Sequence, residues 1–134
     1  MQKSPAPFPA TKRLNEGGVK AVLLNGRRSQ GQHFELRQIP KTHDGKASGA
    51  RLAISVPKRL LRLAVERNRI KRLVRDAFRL DRIASLPLDL LVVYRSKVSP
   101  RSASVRDTLR ADLVSLFAKV ASRNAANQPN VVSR

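Results

Sequence analysis

Hydrophobic and polar residues alternate in two short stretches of the chain, and each stretch ends at a proline. In residues 32–39, Phe34 and Leu36 fall on one side, and residues 52–56 repeat the alternation. A period of two is typical of a strand with one buried face, and proline interrupts the hydrogen bonding of a sheet. The pattern predicts two strands, and we expect them to pair with each other antiparallel.

Apolar residues recur at helical spacing in three other segments. Residues 19–23 precede Gly26, which predicts a short helix with a glycine stop. Residues 63–83 show the strongest helical pattern in the chain. In the third segment Ser104 and Asp107 resemble a capping box that opens a C-terminal helix.

Residues 88–94 are nearly continuous in apolar side chains. A run of this length is typical of a central strand covered on both faces. The elements therefore follow in the order helix, strands, helix, strand, helix. This order indicates an α+β fold, a two-layer sandwich with helices packed against one sheet.

The length of 134 residues fits one domain with one modest core. We expect that domain to span residues 13–122. Residues 1–12 contain three prolines and predict a flexible arm, and the polar residues 123–134 predict a disordered tail.

Charge adds a functional constraint. Lys and Arg number 28 against nine Asp and Glu, for a formal net charge of +19. Such self-repulsion favours a polyanionic partner, first of all nucleic acid, because ordinary small domains are kept soluble by a net charge of roughly 2 to 8. No apolar stretch approaches the ~20 residues that cross a bilayer, and no signal core follows the N-terminus, so we expect a cytoplasmic protein.

Candidate catalytic groups are missing from the sequence. The absence of cysteine excludes disulfides and thiol nucleophiles, and His33 and His43 lack the spacing of a metal site. Asp81 and Asp89 are not spaced as a catalytic pair, and no nucleophile or phosphate-loop motif is present. We expect no catalytic residue and no metal site in the protein.

The predicted helix over residues 63–83 separates apolar from cationic side chains. At about 100° per residue, its apolar arc consists of Leu63, Ile70, Leu73, Val74, Ala77 and Leu80. The opposite side carries Arg67, Asn68, Lys71, Arg72, Arg75 and Arg79. Like charges four residues apart destabilise an isolated helix by a few tenths of a kcal/mol per pair, so this face indicates a neutralising partner. Arginine suits a phosphate backbone because its planar fork donates two hydrogen bonds to one phosphate.

RNA is favoured over three other targets of a basic helix. A membrane surface or a calmodulin-like partner prefers aromatic residues on the apolar face, where this helix offers Phe78 alone. A DNA-reading helix-turn-helix needs a short helix and a tight turn beforehand, and the sequence shows neither.

The run AVERNRIKRLVRDAFR, from Ala64 to Arg79, resembles the signature of the bacterial ribonuclease P protein family. Residues 54–59 are similar to the strand and basic pair before that signature, and residues 88–93 to the strand after it. The resemblance implies the order α-β-β-β-α-β-α, with a short first strand near Arg28. It also implies a left-handed crossover through the signature helix, against the general right-handed rule, as in the second domain of the fifth small-subunit ribosomal protein.

The resemblance further implies a function. Members are protein subunits of an endonuclease that removes the 5′ leader from precursor transfer RNA, while Mg²⁺ held mainly by the RNA subunit performs the hydrolysis. The implied partners are the catalytic RNA and precursor transfer RNA, with no membrane and no small-molecule substrate. The implied RNA-binding residues are Lys58, Arg59, Arg62, Arg67, Asn68, Arg69, Lys71, Arg72, Arg75 and Arg79.

The family receives the leader between the first helix and the sheet, where aromatic residues would stack on bases. The implied leader contacts are Val19, Leu23, Phe34 and Leu36. Val19 and Leu23 stand where the family often has phenylalanine, so we expect weaker stacking and more electrostatic or apolar contacts. Phe34 fits a core position of the sheet at least as well.

Two other functions stay open on the sequence. A purely structural RNA-binding protein, such as a ribosomal component, would need the same basic surface. A protein nuclease would need clustered carboxylates or histidines, which the sequence does not show, so it ranks last.

Overall fold

The computed structural model describes residues 13–40 and 49–126 of the chain. Its elements confirm the α+β class and the order α-β-β-β-α-β-α. They are α1 (Glu16–Asn25), β1 (Arg27–Gln30), β2 (Phe34–Pro40), β3 (Arg51–Ser55), α2 (Ala64–Leu80), β4 (Leu88–Tyr94) and α3 (Ala103–Ala126), with a 3-10 turn at Arg82–Ser85. The predicted arm over residues 1–12 lies outside the described residues.

The four strands form one sheet in the order β1-β2-β4-β3. β4 lies antiparallel to β2 and parallel to β3, so the prediction that β2 and β3 pair with each other was wrong. Alternation fixes the face on which a residue lies but not the neighbouring strand, and the crossover through α2 brings β4 between the two. β1 confirms the short first strand near Arg28, while the hand of the crossover stays a prediction from the resemblance.

Side chains of β4 alternate between two apolar clusters on opposite faces of the sheet. Leu90 and Tyr94 pack in the larger cluster, with the inner sides of α2 and α3. Leu91 and Val93 pack in the smaller cluster, with Val22 of α1. All seven residues of β4 are buried, which confirms a central strand covered on both faces. α1 therefore covers part of the face opposite to α2 and α3.

The helix boundaries follow from local hydrogen bonds. At the start of α1 the Asn15 side chain accepts from the Gly18 N–H at 2.8 Å, and at its end the Gly26 N–H donates to the Val22 carbonyl at 2.7 Å. A Cβ on Gly26 would lie 2.4 Å from that carbonyl oxygen, so the residue that stops the helix has to be glycine. The predicted short helix and its glycine stop are confirmed.

The ends of α3 differ from the predicted ones. Ser102 caps the helix by accepting from the Val105 N–H at 3.2 Å, so the capping box predicted at Ser104 was wrong by two residues. The helix continues to Ala126, and residues 123–126 are therefore helical rather than part of a disordered tail. Residues 127–134 lie outside the described residues.

Candidate nucleic-acid interface

α2 turns an apolar face to the sheet and a cationic face to solvent. The predicted apolar positions that are buried are Ile70, Leu73, Val74 and Ala77. The two end positions of the predicted arc, Leu63 and Leu80, are instead 53% and 87% exposed. Leu63 is the extended N-cap residue and Leu80 is the last residue of the helix, so both lie beyond the part of α2 that the sheet covers. Phe78 and Glu66 are buried in addition.

The residues predicted to bind RNA, all cationic except Asn68, lie on α2 or in the segment just before it. Those with exposed side chains are Lys58, Arg59, Arg62, Asn68, Arg69, Arg72 and Arg79, and those of intermediate exposure are Arg67, Lys71 and Arg75. The structure divides several of them between two grooves, one on each flank of α2.

The first groove lies between α2 and the edge strand β3, and we call it the β3-side groove. Lys71 and Arg75 of α2 line it together with Arg13. The other lining residues are Leu14, Leu52, Ala53 and Ile54. An apolar floor below three cationic side chains can accommodate both the bases and the phosphates of a nucleic acid.

The second groove lies between α2 and α3, and we call it the α3-side groove. Arg69 and Arg72 of α2 face Arg106 and Arg110 of α3 across it, and Arg101 stands at its end. Leu73 and Asp76 complete the lining. Arg69 and Arg72 were predicted to bind RNA, whereas Arg101, Arg106 and Arg110 were not predicted. The spacing of four between Arg106 and Arg110 was the available signal, and it lies in a helix whose apolar pattern alone had supported its prediction.

The Arg67 side chain is held by the backbone of the turn before α2. Its Nη1 donates to the carbonyls of Leu61 and Arg62 at 2.9 and 2.8 Å and so closes the turn before α2. The N-cap residue Leu63 offers no side-chain cap, and the guanidinium ties down the entry of the helix in its place. Arg67 therefore positions the basic turn in addition to its predicted contact with RNA.

The same arrangement recurs at α3. Arg106 Nη1 donates to the carbonyls of Pro100 and Arg101 at 2.9 and 2.7 Å. The two helix starts are also joined to each other, because buried Glu66 of α2 accepts from the Ser99 hydroxyl at 2.5 Å. The α3-side groove thus has two walls that are fixed relative to one another.

The predicted leader residues fall into two groups. Val19 and Leu23 lie on α1, where Val19 is partly buried against the smaller cluster and Leu23 is 46% exposed. Phe34 and Leu36 have no exposed surface and pack in the larger cluster, with the Phe34 ring 5.2 Å from the ring of Tyr94. Neither can contact a ligand without unpacking the core, which corrects the prediction for these two residues. On β2 they point to the face opposite α1.

A charged cluster near the end of α1 was not anticipated from the sequence. Buried Glu35 accepts from Arg37 Nε at 2.7 Å and from Arg95 Nε at 3.0 Å, and Arg28 approaches it at 4.0 Å. Burial by itself would raise the pKa of Glu35, but the hydrogen bonds and charges of Arg37 and Arg95 outweigh it and hold that pKa below its ordinary value. Arg37 also donates to the Leu23 carbonyl at 3.3 Å, which places the cluster beside the predicted leader residues on α1.

Among residues 13–40 and 49–126, no three His, Cys, Asp or Glu side chains lie together in a way that could hold a metal ion. None of the helices in this part of the chain is long and apolar enough to cross a membrane.

The fold and the two grooves define a class: a small α+β protein with an arginine-rich helix exposed on its surface. The chain matches the family model described as Ribonuclease P over residues 8–121. A relative from Bordetella parapertussis, named ribonuclease P protein component, is 34% identical over 119 residues, which cover 87% of this chain and 97% of the relative. The protein component of Thioalkalivibrio sulfidiphilus is 37% identical over 93 residues, which cover 69% of this chain and 74% of the relative. The chain belongs to the ribonuclease P protein family, whose members are subunits of an endoribonuclease of transfer RNA processing.

Solved structures agree with this assignment. The ribonuclease P protein of Thermotoga maritima superposes with a TM-score of 0.66 at 26% identity, covering 80% of this chain and 96% of that one. The protein from Staphylococcus aureus superposes with a TM-score of 0.61 at 26% identity, covering 86% and 95%.

Proposed function

We propose that this protein binds the catalytic RNA of ribonuclease P through the cationic face of α2 and promotes removal of the 5′ leader from precursor transfer RNA. The observation that carries the proposal is the placement of the signature residues. Arg69, Arg72 and Asn68 are exposed, while Leu73 and Val74 anchor the same helix in the core. The helix is thus a rigid support for the side chains of Arg69 and Arg72, which make no ion pair within residues 13–40 and 49–126.

The protein would contribute electrostatics rather than bond chemistry. Fixed positive charge beside RNA phosphates replaces diffusible counterions, so the RNA folds and holds substrate at a lower magnesium concentration. Hydrolysis itself would be performed by Mg²⁺ that the RNA subunit holds, in the cytoplasm where transfer RNA matures. No residue of the protein is assigned a step in breaking the phosphodiester bond.

The leader would lie beside α1. Leu23 and Val19 supply apolar contact for bases, and Arg37, next to the Leu23 carbonyl, supplies charge for a phosphate. With Phe34 in the core, this surface lacks a stacking ring among the four predicted residues. Leader binding in this protein should therefore depend on charge and show little preference among bases.

The direct test is cleavage of 5′-labelled precursor transfer RNA by a bacterial ribonuclease P RNA at low magnesium, with and without the protein. We expect cleavage at the mature 5′ end only when both are present. The double variant Arg69→Gln with Arg72→Gln should lose most of the stimulation, and Arg67 is left unchanged because its loss would also loosen the turn before α2. No stimulation by the wild type, with a known subunit active in a parallel reaction, would favour a structural RNA-binding role instead.

A further inference from the structure

The α3-side groove contains guanidinium groups that the protein itself does not neutralise. Within the described residues, the side chains of Arg69, Arg72 and Arg110 make no hydrogen bond or ion pair. Arg101 lies 3.7 Å from the Glu66 carboxylate but its side chain is 72% exposed. Four guanidinium groups thus face one space with most of their hydrogen-bonding capacity unused.

The groove carries one opposing charge. Among the residues that the structure describes, Asp76 is the one carboxylate that lines the groove, and its side chain is also 3.9 Å from Arg79 on the outer side of α2. The start of α3 adds to the positive potential, because its first turn contains no acidic residue and the helix dipole is positive at this end. An anion from outside would relieve the repulsion among these guanidinium groups.

We propose that the α3-side groove binds the phosphate backbone of an RNA segment, held between Arg69 and Arg72 on one wall and Arg101 and Arg110 on the other. The inference rests on the proposed function in that the RNA is the catalytic RNA. It extends the contact surface from the signature helix to α3. Arg106, whose guanidinium holds the carbonyls of Pro100 and Arg101, fixes the second wall and positions Arg101.

The lining favours a phosphate backbone over an acidic protein. A protein partner would need apolar surface at the centre of the contact, and Leu73 is the one apolar side chain in this groove. A phosphate backbone needs only guanidinium forks at intervals, and Arg106 and Arg110 are separated by about one helical turn, or roughly 6 Å. Base identity should not matter at this position, because contacts to phosphate oxygens carry no direct information on the base.

The test compares two double variants of the full chain that each remove two positive charges. The double variant Arg101→Gln with Arg110→Gln removes the two arginines that the proposal assigns to phosphate binding on one wall of the groove. Arg82→Gln with Lys119→Gln removes charge from exposed positions outside both grooves, and Lys119 lies on the same helix as Arg110. Affinity for the catalytic RNA is measured from 50 to 400 mM salt by filter binding.

We expect the first variant to bind about 10-fold more weakly, with the slope of log affinity against log salt reduced by roughly 1.4 to 1.8, since each lost phosphate contact accounts for about 0.7 to 0.9. The control variant should keep the slope of the wild type. Arg110→Gln alone, which breaks no contact among the described residues, should show half of the reduction. If the first variant keeps the wild-type slope, the groove does not hold RNA.

Nuclear magnetic resonance separates this inference from the proposed function. The arginine Nε–Hε signals of the free protein are followed during titration with inorganic pyrophosphate and, separately, with a short mixed-sequence RNA. We expect both to shift Arg69, Arg72, Arg101 and Arg110 but not Arg82. Shifts with pyrophosphate alone would reduce the groove to an inorganic anion site and overturn the RNA assignment. If the wild type fails to promote cleavage, the proposed function is refuted. The RNA titration still shows whether the α3-side groove binds RNA.

Discussion

The arginines of this protein differ in their use although the sequence presents them alike. Arg67 and Arg106 each occupy the fourth position of a helix, and each donates to the carbonyls five and six residues earlier. Arg69 and Arg72, a few positions away, have no internal partner among the described residues. Sequence spacing could place all of them on a cationic face, but only the conformation of the preceding turn decides which guanidinium turns back to its backbone.

The protein has fewer acidic than basic residues, and several acidic side chains form contacts in its interior. Glu35 is buried beside Arg37 and Arg95, and Asp89 accepts from Arg51 Nε and Nη2 at 3.0 Å. Asp112 accepts from the backbone N–H groups of Gln32 and His33 at 3.0 and 2.9 Å and so ties α3 to the turn before β2. Alternation predicted Glu35 on a polar face, but burial of that face followed from α1, whose position the sequence did not show.

Glu35 should make the stability of the protein depend on pH. Its pKa is lowered in the folded state, so its contribution to the free energy of unfolding is complete above the unfolded pKa, near 4.5, and is lost as the pH falls through the folded pKa. Glu35→Gln should therefore cost about 1–3 kcal/mol at pH 7 and less in acid. Urea unfolding between pH 7 and pH 3 measures both.

Asp107→Asn is a suitable control for this prediction, because Asp107 is exposed and forms no contact among the described residues. Its pH dependence should match that of the wild type. Equal stability of Glu35→Gln and wild type at both ends of the pH range would show that the ion cluster contributes nothing to folding.

At the scale of elements, α2 has to provide an apolar face for the core and a cationic face for solvent along one helix. The apolar positions from Ile70 to Ala77 were predicted correctly because the helical period relates each of them to the sheet. Leu80 and Leu63 were predicted wrongly because periodicity continues in the sequence after the helix has left its contact with the core. The end of an element depends on the neighbouring residues that pack over it. The hydrophobic pattern of the element itself does not show where those neighbours stop.

Leu73 and Leu80 offer a matched pair on this helix. Leu73→Ala removes a side chain that is 3% exposed in the larger cluster and should cost roughly 2–5 kcal/mol of unfolding free energy. Leu80→Ala makes the same chemical change at a position that is 87% exposed and should stay within about 0.5 kcal/mol of wild type. Chemical denaturation monitored by circular dichroism distinguishes the two, and a comparable loss in both would contradict the described path of α2.

The arrangement of strands shows a different limit of prediction. Residues 32–39 and 52–56 were identified as strands, yet their partner is the strand over residues 88–94, which is distant in sequence. The family resemblance supplied the order of elements, including β1, whose four residues Arg27–Gln30 carry no apolar alternation. Local pattern therefore identified every element except β1, and the pairing of distant strands had to come from the structure.

At the scale of the whole molecule, the position of the acidic residues increases the effect of the net charge. Glu35, Glu66 and Asp89 are buried and each contacts an arginine. Their negative charges therefore lie in the interior rather than on the outer surface. The outer faces of α2 and α3 are left with few carboxylates. The same distribution that prepares the protein for a polyanion also destabilises it when no anion is present.

This balance predicts that the stability of the protein depends on its anions. Raising sodium chloride from 0.1 to 1 M shortens the screening length from about 10 Å to about 3 Å, which weakens repulsion among the surface arginines and should raise the thermal unfolding midpoint. Pyrophosphate at equal ionic strength should raise it further, because an anion that binds only the folded protein adds about 2.7 kcal/mol at 100 times its dissociation constant. Thermal unfolding by circular dichroism in both salts gives the comparison.

In Arg101→Gln with Arg110→Gln the sodium chloride effect should persist, since most of the +19 charge remains, while the additional effect of pyrophosphate should shrink. Identical midpoints in the two salts for the wild type would mean that screening alone relieves the repulsion and that no site on the folded protein retains a phosphate.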